Sequence, residues 1–219
     1  MVQFWLTRTG GRRVSDRPKV EPVVGAHRMV GAGRARRGRT PARPGRARPL
    51  TRLTVVSLAA HLVFELAAGV GMPLASILGP YAAAGVWTLT TGGTWRLAAG
   101  GRESDDALLS AVNGFGAAAV TAHLVGWPTR RTRTGLPWLE ECEGLERGLM
   151  PYYNSILYLS AGAALLATVR ENRTAPRRLP AAVLALVPAL VAFQHWEHRR
   201  LLQEARTRGA WWNRRLQRR

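Results

Sequence analysis

Five apolar runs, Leu53–Met72, Leu74–Trp95, Ala107–Trp127, Tyr152–Val169 and Leu179–Phe193, constrain this chain more than any other feature, and the charge is segregated into the connections between them. A helix needs about 20 residues to cross a hydrocarbon core of roughly 30 Å, with about 17 as the lower limit. The first, third and fourth runs meet that length. The fifth does so only by continuing through Gln194, His195 and Trp196. Gly79-Pro80 breaks the second, leaving Tyr81–Trp95, which is short for a span on its own. The pattern predicts an all-α integral membrane helical bundle of about five transmembrane segments, with four spans plus a re-entrant second segment as the alternative. Five spans with the C-terminus inside is the preferred topology, because 74–95 is long and apolar.

Composition supports the same class. The chain has 219 residues, 47% of them hydrophobic, and a formal charge of +19. Nearly all of the cations are arginines, with Lys19 the single lysine, and Ala, Gly and Pro are abundant. That bias is the mark of a high-GC genome, so the charge argues weakly for nucleic acid, and no nucleic-acid partner is expected. Cys142 is the single cysteine, which excludes an intramolecular disulfide and any Cys-based zinc or cluster site. Residues 1–52 read as a disordered Arg/Gly/Pro-rich basic tail, 53–195 as the transmembrane bundle and 196–219 as a basic, Trp-tagged interfacial segment. The expected partners are the lipid bilayer and anionic headgroups at the basic ends, with a homo-oligomer or a membrane-protein partner as further options. The expected location is a bacterial cytoplasmic membrane, crossed several times.

The chemistry sits in HLVFE. His61 and Glu65 are four residues apart and share a helix face. Counted from Leu53 they lie about 12 Å and about 18 Å along the segment, near the bilayer middle. A lipid-facing glutamate there costs about 3 kcal/mol or more, so the pair should face the bundle interior. Glu65 and His61 are therefore the candidate acid/base residues, with helix packing as the plainer explanation. His123 reaches the same level if its span runs antiparallel to the first. Asn113, Asn154 and Tyr158 complete the candidate ligand-binding set. Tyr152 and Tyr153 suit an interfacial belt. In LPWLEECEGLERGLM, Trp138, Cys142, Leu145 and Leu149 form a stripe, which predicts an amphipathic surface helix with Glu140, Glu141, Glu143 and Glu146 as its solvated face. Pro188 should kink the fifth span. No metal site is assigned, since His195, Glu197 and His198 sit among arginines. No cofactor is expected. Haem b held by two histidines of different spans is the minor option.

The strings HLVFELAAGVGMPLASILGP, NGFGAAAVTAHLVGWP, LPWLEECEGL and PYYNSILYLSA resemble a family of small polytopic membrane proteins of high-GC bacteria. The resemblance covers about residues 55–215, implies a helical bundle and brings no activity with it. A fainter likeness is to small integral-membrane terpene cyclases, which use membrane-embedded carboxylates as acids; Glu65 would fill one such role, without a second acid deep in a span. The expectation is a polar pocket around His61, Glu65 and His123 that binds a small lipid-like molecule. A proton-coupled carrier or carrier subunit and a structural or assembly protein are the rivals.

Overall fold

A computed structural model describes residues 47–218. The chain is mostly helical. Its long helices are α1 (Pro49–Ala68), α3 (Pro80–Gly100), α4 (Asp106–Gly126), α5 (Met150–Arg170) and α7 (Val187–Thr207), with short α2 (Ala75–Leu78) and α6 (Leu179–Leu184) between them. A two-stranded antiparallel hairpin, β1 (Thr129–Arg131) and β2 (Pro137–Leu139), joins α4 to α5. Proline stands in the first turn of α1, α3, α5, α6 and α7, where its missing N–H costs nothing and its fixed φ suits the helix. Pro80 thus starts α3, and Gly79 turns the chain at φ 78°. The break expected at Gly79-Pro80 is real, but the helix after it runs on to Gly100 and reaches 21 residues. The kink expected at Pro188 is a full break between α6 and α7.

Among the described residues, three stretches are long and apolar enough to cross a membrane: Pro49–Ala68, Glu103–Gly126 and Leu179–Thr207. α3 and α5 match them in length, and are less apolar because α3 carries four threonines and α5 opens on Tyr152, Tyr153 and Asn154.

The interior is built the opposite way from that of a water-soluble helix bundle. α1 buries Thr51, Thr54, Ser57, His61 and Glu65 in one stripe and exposes Leu53, Val56 and Val63. Leu89, Val125, Leu165 and Val169 are exposed on other helices. With apolar side chains turned outward, the polar stripe must be satisfied inside the bundle. α1 packs mainly against α5 and also against α3, while α4 packs against α5, α6 and α7. Small residues permit this. A Cβ placed on Gly116 of α4 would stand 3.1 Å from Leu58 Cδ1 and 3.2 Å from Thr54 Cγ2 of α1.

Side chains from elsewhere close both ends of α1. At its start, Glu171 accepts from the Leu50 and Thr51 N–H groups at 2.7 and 2.8 Å and from the Thr51 hydroxyl. Beside it, buried Arg48 pairs with Asp106 at 2.6 Å, and Asp106 accepts from Thr174. The disordered tail expected over 1–52 is therefore corrected at its end, because residues 49–52 form the anchored first turn of α1. The remainder of that expectation, residues 1–46, lies outside the described residues. At the far end, Gly69 takes the left-handed conformation at φ 81° that a helix C-cap favours. Residues 211–215 pack over it: Gly71 N–H donates to Trp212 O, and Arg215 N–H to Gly69 O. Residues 196–218 of the segment 196–219, expected as basic and interfacial, are continuous with α7 to Thr207 and then fold back onto α1. Gly116→Val should lower the stability of the detergent-solubilised protein by about 1–3 kcal/mol through overpacking at the α1–α4 contact, read as a lower midpoint in thermal unfolding.

Candidate functional site

The buried stripe of α1 ends at a cluster drawn from four elements. Glu65 sits about 24 Å along a helix about 30 Å long. The site therefore lies towards one end of the bundle, not at the middle, because α1 begins at Pro49 and stops at Ala68. His61 Nε2 is 2.7 Å from Glu65 Oε1, one helical turn away. The Tyr153 hydroxyl, on the first turn of α5, donates to the same oxygen at 2.6 Å and is 2.9 Å from His61 Nε2. His123, near the end of α4, brings Nε2 to 3.9 Å from Glu65 Oε1 and 3.9 Å from Glu143 Oε1. The His61 and His123 rings meet edge to face with centroids 5.0 Å apart. Glu65 is 1% exposed, and its Oε2 has no hydrogen-bond partner.

The fourth element is the loop before α5. Cys142 and Leu145 pair as an antiparallel bridge, with the Leu145 N–H donating to Cys142 O at 2.7 Å. Between them Glu143 and Gly144 have φ 50° and 92°. Two successive residues of positive φ make a type I′ turn, for which glycine and asparagine are suited and glutamate is not. The strained turn carries the Glu143 side chain inward beside the Glu65 carboxyl, with its Oε1 3.9 Å from His123 Nε2. Burial, together with the Glu65 carboxylate, pushes the Glu143 carboxyl up to about 8. Burial and the adjacent Glu143 carboxyl raise the Cys142 thiol well above its ordinary range, and its Sγ lies 3.8 Å from the Tyr153 hydroxyl. The amphipathic surface helix expected here is absent: residues 129–149 form the β-hairpin and this turn, and Glu143 is not on a solvated face.

The site faces a cavity of about 470 Å³. His61, His123 and Glu143 line one part of it, and Val55, Leu58, Leu62, Trp87, Phe115 and Phe193 line much of the rest. Of the expected site residues, the structure brings together His61, Glu65 and His123. The other three are placed elsewhere. Asn113 donates to Thr51 Oγ1 at 3.0 Å, towards the opposite end of α1. Asn154 accepts from Leu139 N–H and donates to the carbonyls of Leu139 and Met150. Tyr158 donates to the Pro137 carbonyl. Asn154 and Tyr158 thus hold β2 against α5 and fix the start of the loop that presents Glu143. Tyr153, Cys142 and Glu143 were not among the expected site residues. A tyrosine on the buried face of its helix is indistinguishable in sequence from its exposed neighbour Tyr152, but Glu-Gly between Cys142 and Leu145 is a two-residue turn signal.

Glu143→Asn should stabilise the protein by about 1 kcal/mol, because asparagine tolerates the left-handed conformation that glutamate adopts here at a cost; a raised unfolding midpoint checks it. Comparisons with protein-family models, with curated proteins and with solved structures give no match.

Proposed function

We propose that this protein is a multi-pass membrane protein that binds a small, mostly apolar, lipid-like molecule with its polar end at His61, Glu65 and His123. The observation that carries the reading is the cavity of about 470 Å³, whose wall is mainly apolar and whose ionisable groups include His61, His123 and Glu143. That volume falls within the range of small-molecule sites, and a few convergent polar groups on an apolar wall fix a ligand's orientation. Glu65 and Glu143 each bring a carboxyl oxygen to 3.9 Å from His123 Nε2, and two neighbouring carboxyl groups in an apolar interior favour holding a proton. Glu65 can therefore donate or accept a proton, and His61, 2.7 Å away, relays it. This gives the molecule acid/base capacity towards a group that reaches the end of the cavity.

Five crossings suit the helix lengths: α1, α3, α4, α5 and the α6–α7 pair. With them the hairpin and the segment after α7 share one face. That face is the more basic of the two among the described residues and lies inside by the positive-inside rule. The location that follows is a bacterial cytoplasmic membrane.

Native mass spectrometry of the full chain in detergent tests the pocket. The wild type should carry a discrete bound mass. Ala59→Trp, at a residue of α1 that lines the cavity and would fill it as tryptophan, and Glu65→Gln, which removes the acid, should both release it. A clean apo mass in all three proteins would overturn the pocket and leave helix packing as the role of these residues.

A further inference from the structure

The cluster holds more ligating capacity than a proton relay needs. His61, Glu65 and His123 place their donor atoms within 4.8 Å of one another, and so do His123, Cys142 and Glu143. We propose that His61, Glu65, His123 and Glu143 form a binding site for one divalent first-row transition ion of the zinc class.

Charge is the first argument. Two carboxyl groups that flank one imidazole in an apolar interior resist both being ionised unless a cation joins them. One divalent ion with two carboxylates and two neutral imidazoles sums to zero, so the loaded site carries no net charge in its apolar surroundings.

Geometry is the second. Around an ion with bonds of 2.0–2.2 Å, tetrahedral donors stand about 3.4 Å apart. The His61–Glu65 separation is 2.7 Å, and those from His123 to Glu65 and to Glu143 are 3.9 Å, each within about 0.7 Å of that spacing. Side-chain rotation covers the difference. The buried Oε2 of Glu65 has no partner, while its Oε1 is held by Tyr153. Tyr153 thus orients the carboxylate, whose Oε1 is the oxygen nearest both imidazoles and whose Oε2 has capacity to spare.

The arrangement behind His123 is the third. Its Nδ1 lies 2.8 Å from the Ala119 carbonyl, which accepts its proton. Gln194 reaches the same nitrogen at 3.0 Å, and its otherwise unpartnered Oε1 accepts from that N–H when the amide is turned. This fixes the tautomer in which Nε2 presents a lone pair to the cluster, the usual support of a metal-ligating histidine. Imidazole donors, with the Cys142 thiol close by, select zinc-class ions over magnesium or calcium.

The strained turn has a purpose on this reading, since it delivers the fourth ligand. The cavity meets His61, His123 and Glu143, so a bound molecule can reach the ion there as a fifth ligand. Polarisation of a bound molecule by the ion rests on the pocket reading above; binding of the ion does not.

The test uses the full chain in detergent, stripped with chelator and titrated with Zn²⁺, with Co²⁺ as an optical probe and Mg²⁺ as control. The wild type should bind about one Zn²⁺ per chain, as a single four-ligand site does, and show the intense visible absorption of tetrahedral Co²⁺. Glu143→Asn and His123→Gln should weaken Zn²⁺ by at least about 100-fold, beyond the range seen for changes around the ligands. Glu143→Asn keeps the comparison valid, because it relieves the backbone at that turn. Ala59→Trp should keep the ion while losing any lipid-like mass, so failure of the pocket and failure of the ion site read differently. A wild type that binds no Zn²⁺, or binds it no tighter than the two ligand variants, overturns the proposal and leaves a shared proton between the carboxyl groups.

Discussion

The bundle is organised around one carboxyl group that an apolar interior cannot leave alone. Glu65 comes from a helix whose outer face is apolar, so its own helix offers it only His61. Every other partner arrives from a separate element. α5 supplies Tyr153, α4 supplies His123, and the loop between hairpin and helix supplies Glu143. Satisfying that group therefore fixes how α1, α4 and α5 meet. The small residues at Gly116 and its neighbours let them come close enough to do so.

The same logic recurs at the helix ends. A helix leaves orphan N–H groups at its start and orphan carbonyls at its finish. α1 has both sets met by distant chain: Glu171 accepts from the Leu50 and Thr51 N–H groups at one end, and Arg214 and Arg215 donate to the carbonyls of Ala67 and Ala68 at the other. Glu197 does likewise for the short α2, accepting from the Ser76 N–H and hydroxyl. His195, near it in sequence, packs its ring at a tilt against Trp127 with centroids 4.8 Å apart. The acidic residue in this His-Glu-His stretch is thus engaged in joining elements.

Much of the helical frame was legible because its signals are local. Apolar runs marked the long helices, prolines stood in the first turns of all but α4, glycines closed α1 and α3, and the i,i+4 pair in HLVFE marked the first half of the site. The second half depended on context. Trp138, Cys142, Leu145 and Leu149 recur every three or four residues, which suits a helix face. The same spacing of three sets Cys142 opposite Leu145 across a two-residue turn, and the turn prevails because Asn154 holds the Leu139 backbone from α5. Asn154 and Tyr158 looked like cavity residues since both are polar groups in an apolar helix; their capacity is taken up by backbone carbonyls that sequence alone does not bring near. Tyr153 read as an interface anchor because the helix register that turns it inward is set by packing on α1.

The closure of α1 by residues 211–215 has a consequence in time. Arg215 reaches back 147 positions to the Ala68 carbonyl. α1 leaves the ribosome early, with Glu65 in place, yet its exit end stays open until that later stretch has been made. For most of synthesis the helix that carries the acid is therefore an incomplete wall, and the compartment it borders reaches its finished shape only as the last of these contacts is stitched down.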